Sequence, residues 1–187
     1  MLKQYIKIRI QEFIEDSRAS VTLEALLMFP LLIWAYVSTF VFFDAFRTKN
    51  ANMKAAYTIS DMLSRQTNPV NQAYLDGLNE VYDFLASSPH PTWIRVSVVT
   101  WDEDDVQFEV EWSESTKSQE AWTTESLDAI VPRIPAMSHA DTVIIVETHM
   151  TYEPMFRLGL RTLDFDNFVV TSPRFAPRLC WDTCVEA

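Results

Sequence analysis

Glycine is almost absent from this 187-residue chain, which contains only Gly77 and Gly159. Loops that cradle phosphate groups need several glycines close together, because their backbone approaches the ligand closely. The chain also lacks the HExxH, GxSxG and CxxC patterns of metalloproteases, serine hydrolases and thioredoxin-like proteins. These absences exclude the corresponding enzyme classes, so we predict no catalytic residues, no cofactor and no enzymatic activity.

Residues that bind metals are also few. The histidines His90, His139 and His149 are scattered, and the only cysteines, Cys180 and Cys184, form a C-x3-C pair. A structural zinc site would need two further ligands beside the cysteines, so no metal is expected there. In an exported domain such a pair favours a local disulfide, which we predict between the two cysteines.

Two polar clusters have alternative interpretations. Ser138-His139-Ala140-Asp141 combines three triad residue types, but triad members normally come from separate elements. We therefore predict a loop there. The carboxylates of Asp102–Asp105 indicate a polar hairpin turn, and Ca²⁺ binding is the alternative, although the segment lacks EF-hand spacing and its glycine.

Basic residues are outnumbered, with 15 Lys and Arg against 26 Asp and Glu and a formal net charge of −11. Residues 1–47 carry five charges of each sign, so the whole excess lies in residues 48–187. Such an acidic domain is repelled by the phosphates of nucleic acids and of anionic lipids. Nucleic acid is therefore excluded as a partner.

The most prominent feature is Ala25–Phe43, which has no charged residue. As a helix rising about 1.5 Å per residue, it would be roughly 28 Å long, close to the bilayer hydrocarbon thickness of about 30 Å. A core helix is usually shorter and amphipathic, and the apolar region of a cleaved signal is also shorter. We therefore predict a retained membrane anchor, in which Pro30 is tolerated.

The junction before this run has a distinctive order of residue types. Ala19 is followed five positions later by Glu24, which opens the apolar helix, and Phe29-Pro30-Leu31-Leu32 follows. A carboxylate at the edge of hydrocarbon is unfavourable unless it is paired. A positively charged group nearby would pair with Glu24. Alternatively, Glu24 marks the membrane interface and interacts with the helix dipole.

In this order of features the chain resembles the TadE/TadG-like family of tight-adherence pilus assembly proteins. The resemblance is firmest over residues 17–66 and returns weakly at Thr142–Met155, where an apolar β-run ends in Tyr-Glu-Pro-Met. It implies that a prepilin-type peptidase cuts between Ala19 and Ser20, and that Glu24 serves helix pairing and assembly. It also implies contacts with other pilus or pseudopilin subunits and with inner-membrane assembly proteins.

Most processing sites of this type have glycine before the cut, whereas this chain has Ala19. An uncleaved bitopic periplasmic binding or scaffold protein, unrelated to pili, is therefore the alternative function. The expected location is the bacterial inner membrane, with a single span, a cytoplasmic N-terminus and a periplasmic C-terminal domain. Basic residues of the leader favour the cytoplasmic side: Lys3, Lys7, Arg9 and Arg18.

We expect a leader at residues 1–19, a helix over residues 20–66 that leaves the membrane, and a soluble domain at residues 67–187. The predicted fold class is α+β, with a mainly antiparallel sheet of about four strands. Asp141–Tyr152 should be central, because its apolar run indicates burial on both faces. The predicted helices are Val21–Arg65, Val70–Ala86 and a short Leu127–Val131, and the other strands are Trp93–Trp101, Val106–Trp112 and Phe168–Thr171.

The remaining signal is an abundance of tryptophan in the predicted soluble domain. These large side chains either fill the core of a glycine-poor fold or form an aromatic contact surface for a partner. The residues concerned are Trp93, Trp101, Trp112, Trp122 and Trp181.

Overall fold

A computed structural model describes residues 19–156 and 159–184 of the chain, which have the predicted α+β fold. The predicted leader therefore lies outside the described residues, except for Ala19. The elements are α1 (Ala19–Ser64), α2 (Gln72–Ala86), β1 (Trp93–Asp102), β2 (Gln107–Ser115), two short 3-10 turns (Ser126–Ala129 and Val131–Arg133), β3 (Thr142–Tyr152) and β4 (Leu163–Thr171).

The chain divides into two compact units. In the part of the chain that the structure describes, a helical unit comprises residues 19–44, 155–156 and 159–160, and a sheet unit comprises residues 45–154 and 161–184. Helix α1 is continuous over 46 residues and includes Pro30. The prediction of a single helix from Val21 to Arg65 is therefore confirmed to within two residues at each end.

Helix α2 begins and ends with local signals. The side chain of Asn71 accepts a hydrogen bond from the Tyr74 N–H at 2.9 Å, as an N-cap does. At the other end, Ser87 has a left-handed backbone and its N–H bonds to the carbonyls of the last turn. The helix starts two residues later than predicted, because Val70 instead pairs with Trp181 in a short parallel bridge.

The four strands form one antiparallel sheet in the order β2-β1-β3-β4. Strand β3 is internal, as predicted. Strand β4 begins at Leu163, five residues earlier than expected, because Asp164 and Asp166 pair in register with Thr151 and His149 of β3.

Buried apolar side chains lie on both faces of the sheet. On the helix side, Ile94, Val96 and Val98 of β1 belong to a cluster with Ile59 of α1 and Tyr82 of α2. On the opposite side, which we call the open face, a smaller cluster covers one end of the sheet. Its members are Val99, Leu127, Ile130, Ile134, Val143 and Ile145.

The predicted short helix at Leu127–Val131 is instead the pair of 3-10 turns. Pro132 stands inside the second turn and has no N–H to continue an α-helical hydrogen-bond pattern. The two turns carry the buried side chains of Leu127 and Ile130 onto the open face.

A buried polar network links the helices to the sheet. The Tyr82 hydroxyl donates to Asn52 Oδ1 at 2.9 Å, and Asn167 Nδ2 donates to the same oxygen and to Thr148 Oγ1. Asn52 is fully buried, and its Nδ2 has no hydrogen-bond partner. Burial raises the pKa of Tyr82 to about 12, chiefly because the phenolate would lose its hydration.

Replacing Tyr82 by Phe should lower the free energy of unfolding at pH 7 by about 1–2 kcal/mol, because Asn52 loses a buried donor. The raised pKa stabilises the fold below pH 10, and this contribution is lost between pH 10 and 12, when the unfolded chain ionises first. The wild type should therefore lose about 1.4 kcal/mol per pH unit in that range through Tyr82, and the variant should not. Urea denaturation followed by tryptophan fluorescence at pH 7 and pH 11 measures both effects. Equal alkaline losses in the two proteins would contradict the expectation.

Candidate functional sites on the apolar helix and the open face

Helix α1 is long and apolar enough to cross a membrane, judged by length and composition. Its apolar part exposes large side chains, including Leu26, Phe29, Tyr36 and Phe43, with Tyr36 75% accessible. Apolar patches of this extent are rare on monomeric proteins unless they contact a lipid or protein partner. The structure therefore agrees with the prediction of a membrane-spanning segment at the level of helix length and surface chemistry.

The residues predicted for processing and assembly share the first turns of α1. Ala19 is the first residue of the helix and Ser20 the second. Glu24 follows on the helix surface, where it is exposed between apolar neighbours such as Leu23 and Leu26. The structure thus places the carboxylate at the boundary between the junction and the apolar run, as the sequence indicates.

The open face carries an aromatic and charged cluster beside its apolar end. Because β1, β3 and β4 are antiparallel and in register, Trp93, His149 and Asp166 form one row across three strands. The next row contains Arg95, Glu147 and Phe168. We call these six residues, together with Trp122, the open-face cluster.

The centre of the open-face cluster is a largely buried ion pair. Arg95 Nε and Nη2 each lie 2.7 Å from Glu147 Oε2, and the two side chains are only 13% and 12% accessible. Trp122 Nε1 donates to the same oxygen at 2.5 Å, and its ring lies 4.3 Å from the Arg95 guanidinium carbon. Arg95 Nη1 also donates to the Glu120 carbonyl at 2.7 Å. This bond attaches the guanidinium to the segment between β2 and the first 3-10 turn.

His149 is oriented from two sides. Its ring stacks on Trp93 with centroids 5.4 Å apart and planes within 8°. Nδ1 lies 2.6 Å from Asp166 Oδ1, and because a carboxylate only accepts, Nδ1 carries the proton. Thr151 Oγ1 lies 3.5 Å from Nε2 but donates to Asp164 at 2.9 Å. The hydroxyl proton is thus directed away from His149, so this trio does not form a nucleophile and base pair.

A cleft of about 420 Å³ opens on the cluster. Arg133, from the second 3-10 turn, stands at its wall, with its guanidinium carbon 3.8 Å from the centre of the Phe168 ring. Residues of the cluster that line the cleft are Trp93, Glu147, His149, Asp166 and Phe168.

The polar clusters predicted as turns are turns in the structure. Asp102 Oδ1 accepts from the N–H groups of Asp104 and Asp105 between β1 and β2. Carboxylate oxygens of Asp102, Asp105 and Glu109 come within 4.8 Å of one another, but these hydrogen bonds within the turn already explain the position of Asp102. The alternative of Ca²⁺ binding stays a prediction.

The second polar cluster is also accounted for by its loop. Asp141 Oδ2 accepts from the Ser138 N–H at 3.0 Å, and His139 Nδ1 accepts from the Glu103 N–H at 3.3 Å. These bonds hold the loop before β3, as predicted, and do not align a serine with a base.

The predicted disulfide is present, with Cys180 and Cys184 joined and their Cα atoms 5.2 Å apart. The tail around it is attached to the sheet unit by backbone bonds at Val70. The Trp112 Nε1 also donates to the Leu179 carbonyl at 2.8 Å, and the ring of Trp112 lies against Trp181.

The sequence did not identify Arg95, Glu147 and Arg133. In alternating strands a charged residue usually faces solvent, so Arg95 and Glu147 read as surface positions. One feature of the sequence could have identified this pair. Arg95 and Glu147 carry opposite charges and lie in two predicted strands, and tryptophans of unassigned role are close to Arg95 in the sequence. Trp112 and Trp181 pack on the core, as the first alternative predicts, and Trp93 lines the cleft. The alternative of a contact surface for a partner stays a prediction.

No family model, curated protein or solved structure matches the chain.

Replacing Glu147 by Ala should lower the free energy of unfolding by about 3 kcal/mol, because Arg95 and the Trp122 N–H lose a largely buried acceptor. The matched control is Asp61→Ala, which breaks two exposed pairs, with Arg65 at 2.9 Å and with Arg174 at 3.5 Å, and should cost less than about 1 kcal/mol. Chemical denaturation of the two variants checks the difference. Equal losses would mean that the Arg95–Glu147 pair contributes no more than a surface pair.

Proposed function

We propose that this protein is a membrane-anchored, minor pilin-like component that acts in the assembly of a tight-adherence pilus. The single observation that carries the proposal is the order Ala19, Glu24 and an exposed apolar segment within one continuous helix. This is the arrangement for which the chain resembles the TadE/TadG-like family. On this proposal the protein works through helix packing and protein contacts rather than by catalysis.

Physical chemistry supports a role for Glu24 in helix pairing. Its carboxylate lies among apolar exposed side chains, and a charged group at the edge of hydrocarbon is costly unless it is paired. Cleavage between Ala19 and Ser20 would provide a positively charged amino group within reach on the same helix or on a neighbouring subunit. A prepilin-type peptidase of the inner membrane is the proposed processing partner, and other pilus or pseudopilin subunits are the proposed assembly partners.

The sheet unit is then the part that would face the periplasm. Its net negative charge suits a compartment in which nucleic acid is not a partner. The local disulfide between Cys180 and Cys184 is of the kind formed in oxidising compartments.

An uncleaved bitopic periplasmic binding or scaffold protein is the second candidate function. Two observations favour it: Ala19 stands where glycine usually precedes the cut, and the open face offers a cleft lined by aromatic and charged residues.

The mass and N-terminal residue of protein purified from membranes separate the two functions. An N-terminus at Ser20 is expected from prepilin-type processing. A control with Ala19→Gly should be cut at least as efficiently, because glycine is the usual residue before the cut. An intact Met1 in both proteins would make the uncleaved scaffold the better description.

Replacing Glu24 by Ala should leave the protein in the membrane but lower pilus output about tenfold, since loss of one contact of about 1.4 kcal/mol changes an assembly equilibrium by that factor. Glu24→Asp, which keeps the charge, should recover part of the output. Thr22→Ala, in the same turn but on the opposite side of the helix, is the matched control. Pili are counted after shearing and quantified against membrane-bound protein. Unchanged output in Glu24→Ala would remove Glu24 from assembly.

A further inference from the structure

We propose that the cleft on the open face binds a singly charged carboxylate, with the guanidinium of Arg133 as its hydrogen-bond donor. The group attached to the carboxylate would be apolar or planar and about the size of one or two amino acid residues. This site is independent of the membrane segment and of its role in assembly.

Arg133 is fixed at both ends of its side chain. Its backbone belongs to the turn Val131–Arg133, and the neighbouring Ile130 and Ile134 are buried in the apolar cluster of the open face. Its guanidinium lies on the ring of Phe168 at 3.8 Å, which holds the charged group against β4. A stacked guanidinium keeps its N–H donors directed outward in its own plane, where a carboxylate can bind through two parallel bonds.

The donors of Arg133 are available to a ligand. Among the residues that the structure describes, no carboxylate lies within 4.0 Å of Arg133, and the same holds for Arg47 and Arg161, whereas Arg65, Arg95, Arg174 and Arg178 each contact one. Of the three without such a contact, Arg133 lines the cleft.

The adjacent ion pair shows the geometry that a ligand would complete. Arg95 stacks on Trp122 at 4.3 Å, and Glu147 Oε2 accepts two of its N–H donors at 2.7 Å. Arg133 on Phe168 repeats the first half of this arrangement, a guanidinium on an aromatic ring. The second half would be supplied by the carboxylate of the ligand.

The acidic side chains in the cleft have partners of their own. Glu147 and Asp166 line the cleft with Arg133, but Glu147 is paired with Arg95 and Asp166 is bonded to His149 at 2.6 Å. These partners reduce the repulsion felt by an incoming anion, so Arg133 can act as its donor. The charge of Arg133 attracts a carboxylate and a phosphate alike, and the preference for a carboxylate on an apolar group comes from the rings that line the cleft.

The floor of the cleft indicates what the carboxylate is attached to. The rings of Trp93, His149 and Phe168 line it, and aromatic side chains bury apolar groups in contact sites. A volume of about 420 Å³ accommodates a side chain such as phenylalanine with its α-carboxylate. Two sources share this chemistry: the C-terminal residue of a peptide and a free aromatic acid.

The test uses the full chain in neutral detergent micelles and ligand-observed saturation-transfer NMR titration. The probes are N-acetyl-phenylalanine, its C-terminal amide, acetyl-Ala-Ala-Phe with a free carboxylate, and inorganic phosphate. Both acids should bind at least about tenfold more tightly than the amide and the phosphate, the range expected for hydrogen bonds to a charged group. Tighter binding of the tripeptide than of the single residue would indicate a peptide end as the ligand, and equal binding a free acid.

Arg133→Gln should weaken binding of both acids about tenfold, and Arg133→Lys, which keeps the charge without the planar fork, should weaken it less. The matched control is Arg65→Gln, which removes an exposed arginine paired with Asp61 and should leave binding unchanged. Because Arg133 is exposed, its replacement should leave the fold intact, which the denaturation midpoint verifies. Equal affinity for acid and amide, undiminished binding to Arg133→Gln, or no saturable binding of either acid up to about 10 mM would each overturn the proposal.

Discussion

A four-stranded sheet has two faces, and the helices of the sheet unit cover only one of them. Strands β1 and β3 are internal. Each therefore either buries its side chains on both faces of the sheet or leaves those on one face exposed to solvent. On the helix side the solution is ordinary apolar packing around Ile59 and Tyr82. On the open face the described residues include no α-helix, and two 3-10 turns with a charged aromatic cluster cover the sheet instead. The positions of Arg95, Trp122 and Arg133 all follow from this constraint.

The Arg95–Glu147 pair is best understood as fixing the register of the sheet. A largely buried ion pair gains little net free energy over apolar packing, because both groups lose their hydration. A shift of β1 by one residue relative to β3, however, would turn Arg95 toward the apolar helix side. The misaligned sheet would bury an unpaired charge. The pair therefore destabilises the shifted registers of β1 and β3 more than it stabilises the native register.

The sequence predicts those parts of the structure that depend on neighbouring residues, and it does not predict those that depend on contacts between distant residues. The long helix, the second helix and the central strand follow from runs and periodic spacing of apolar residues, and they were predicted within a few residues. Strand β4 was predicted too short, since Asp164 and Asp166 read as loop residues until their cross-strand partners are known. The cleft combines Arg133 with residues of three strands. These residues are far apart in the sequence, so no local pattern predicts that they lie close together in the fold.

The cross-link in the C-terminal tail spans a sequence separation of only four residues. Closing so small a ring restricts the unfolded chain less than a long loop does, about 2 kcal/mol against almost 5 for a loop of about 100 residues. The tail is held separately, through the backbone bonds at Val70 and the packing of Leu179 and Trp181. The fold of the sheet unit therefore depends only weakly on the oxidation of its thiols, since the disulfide contributes about 2 kcal/mol.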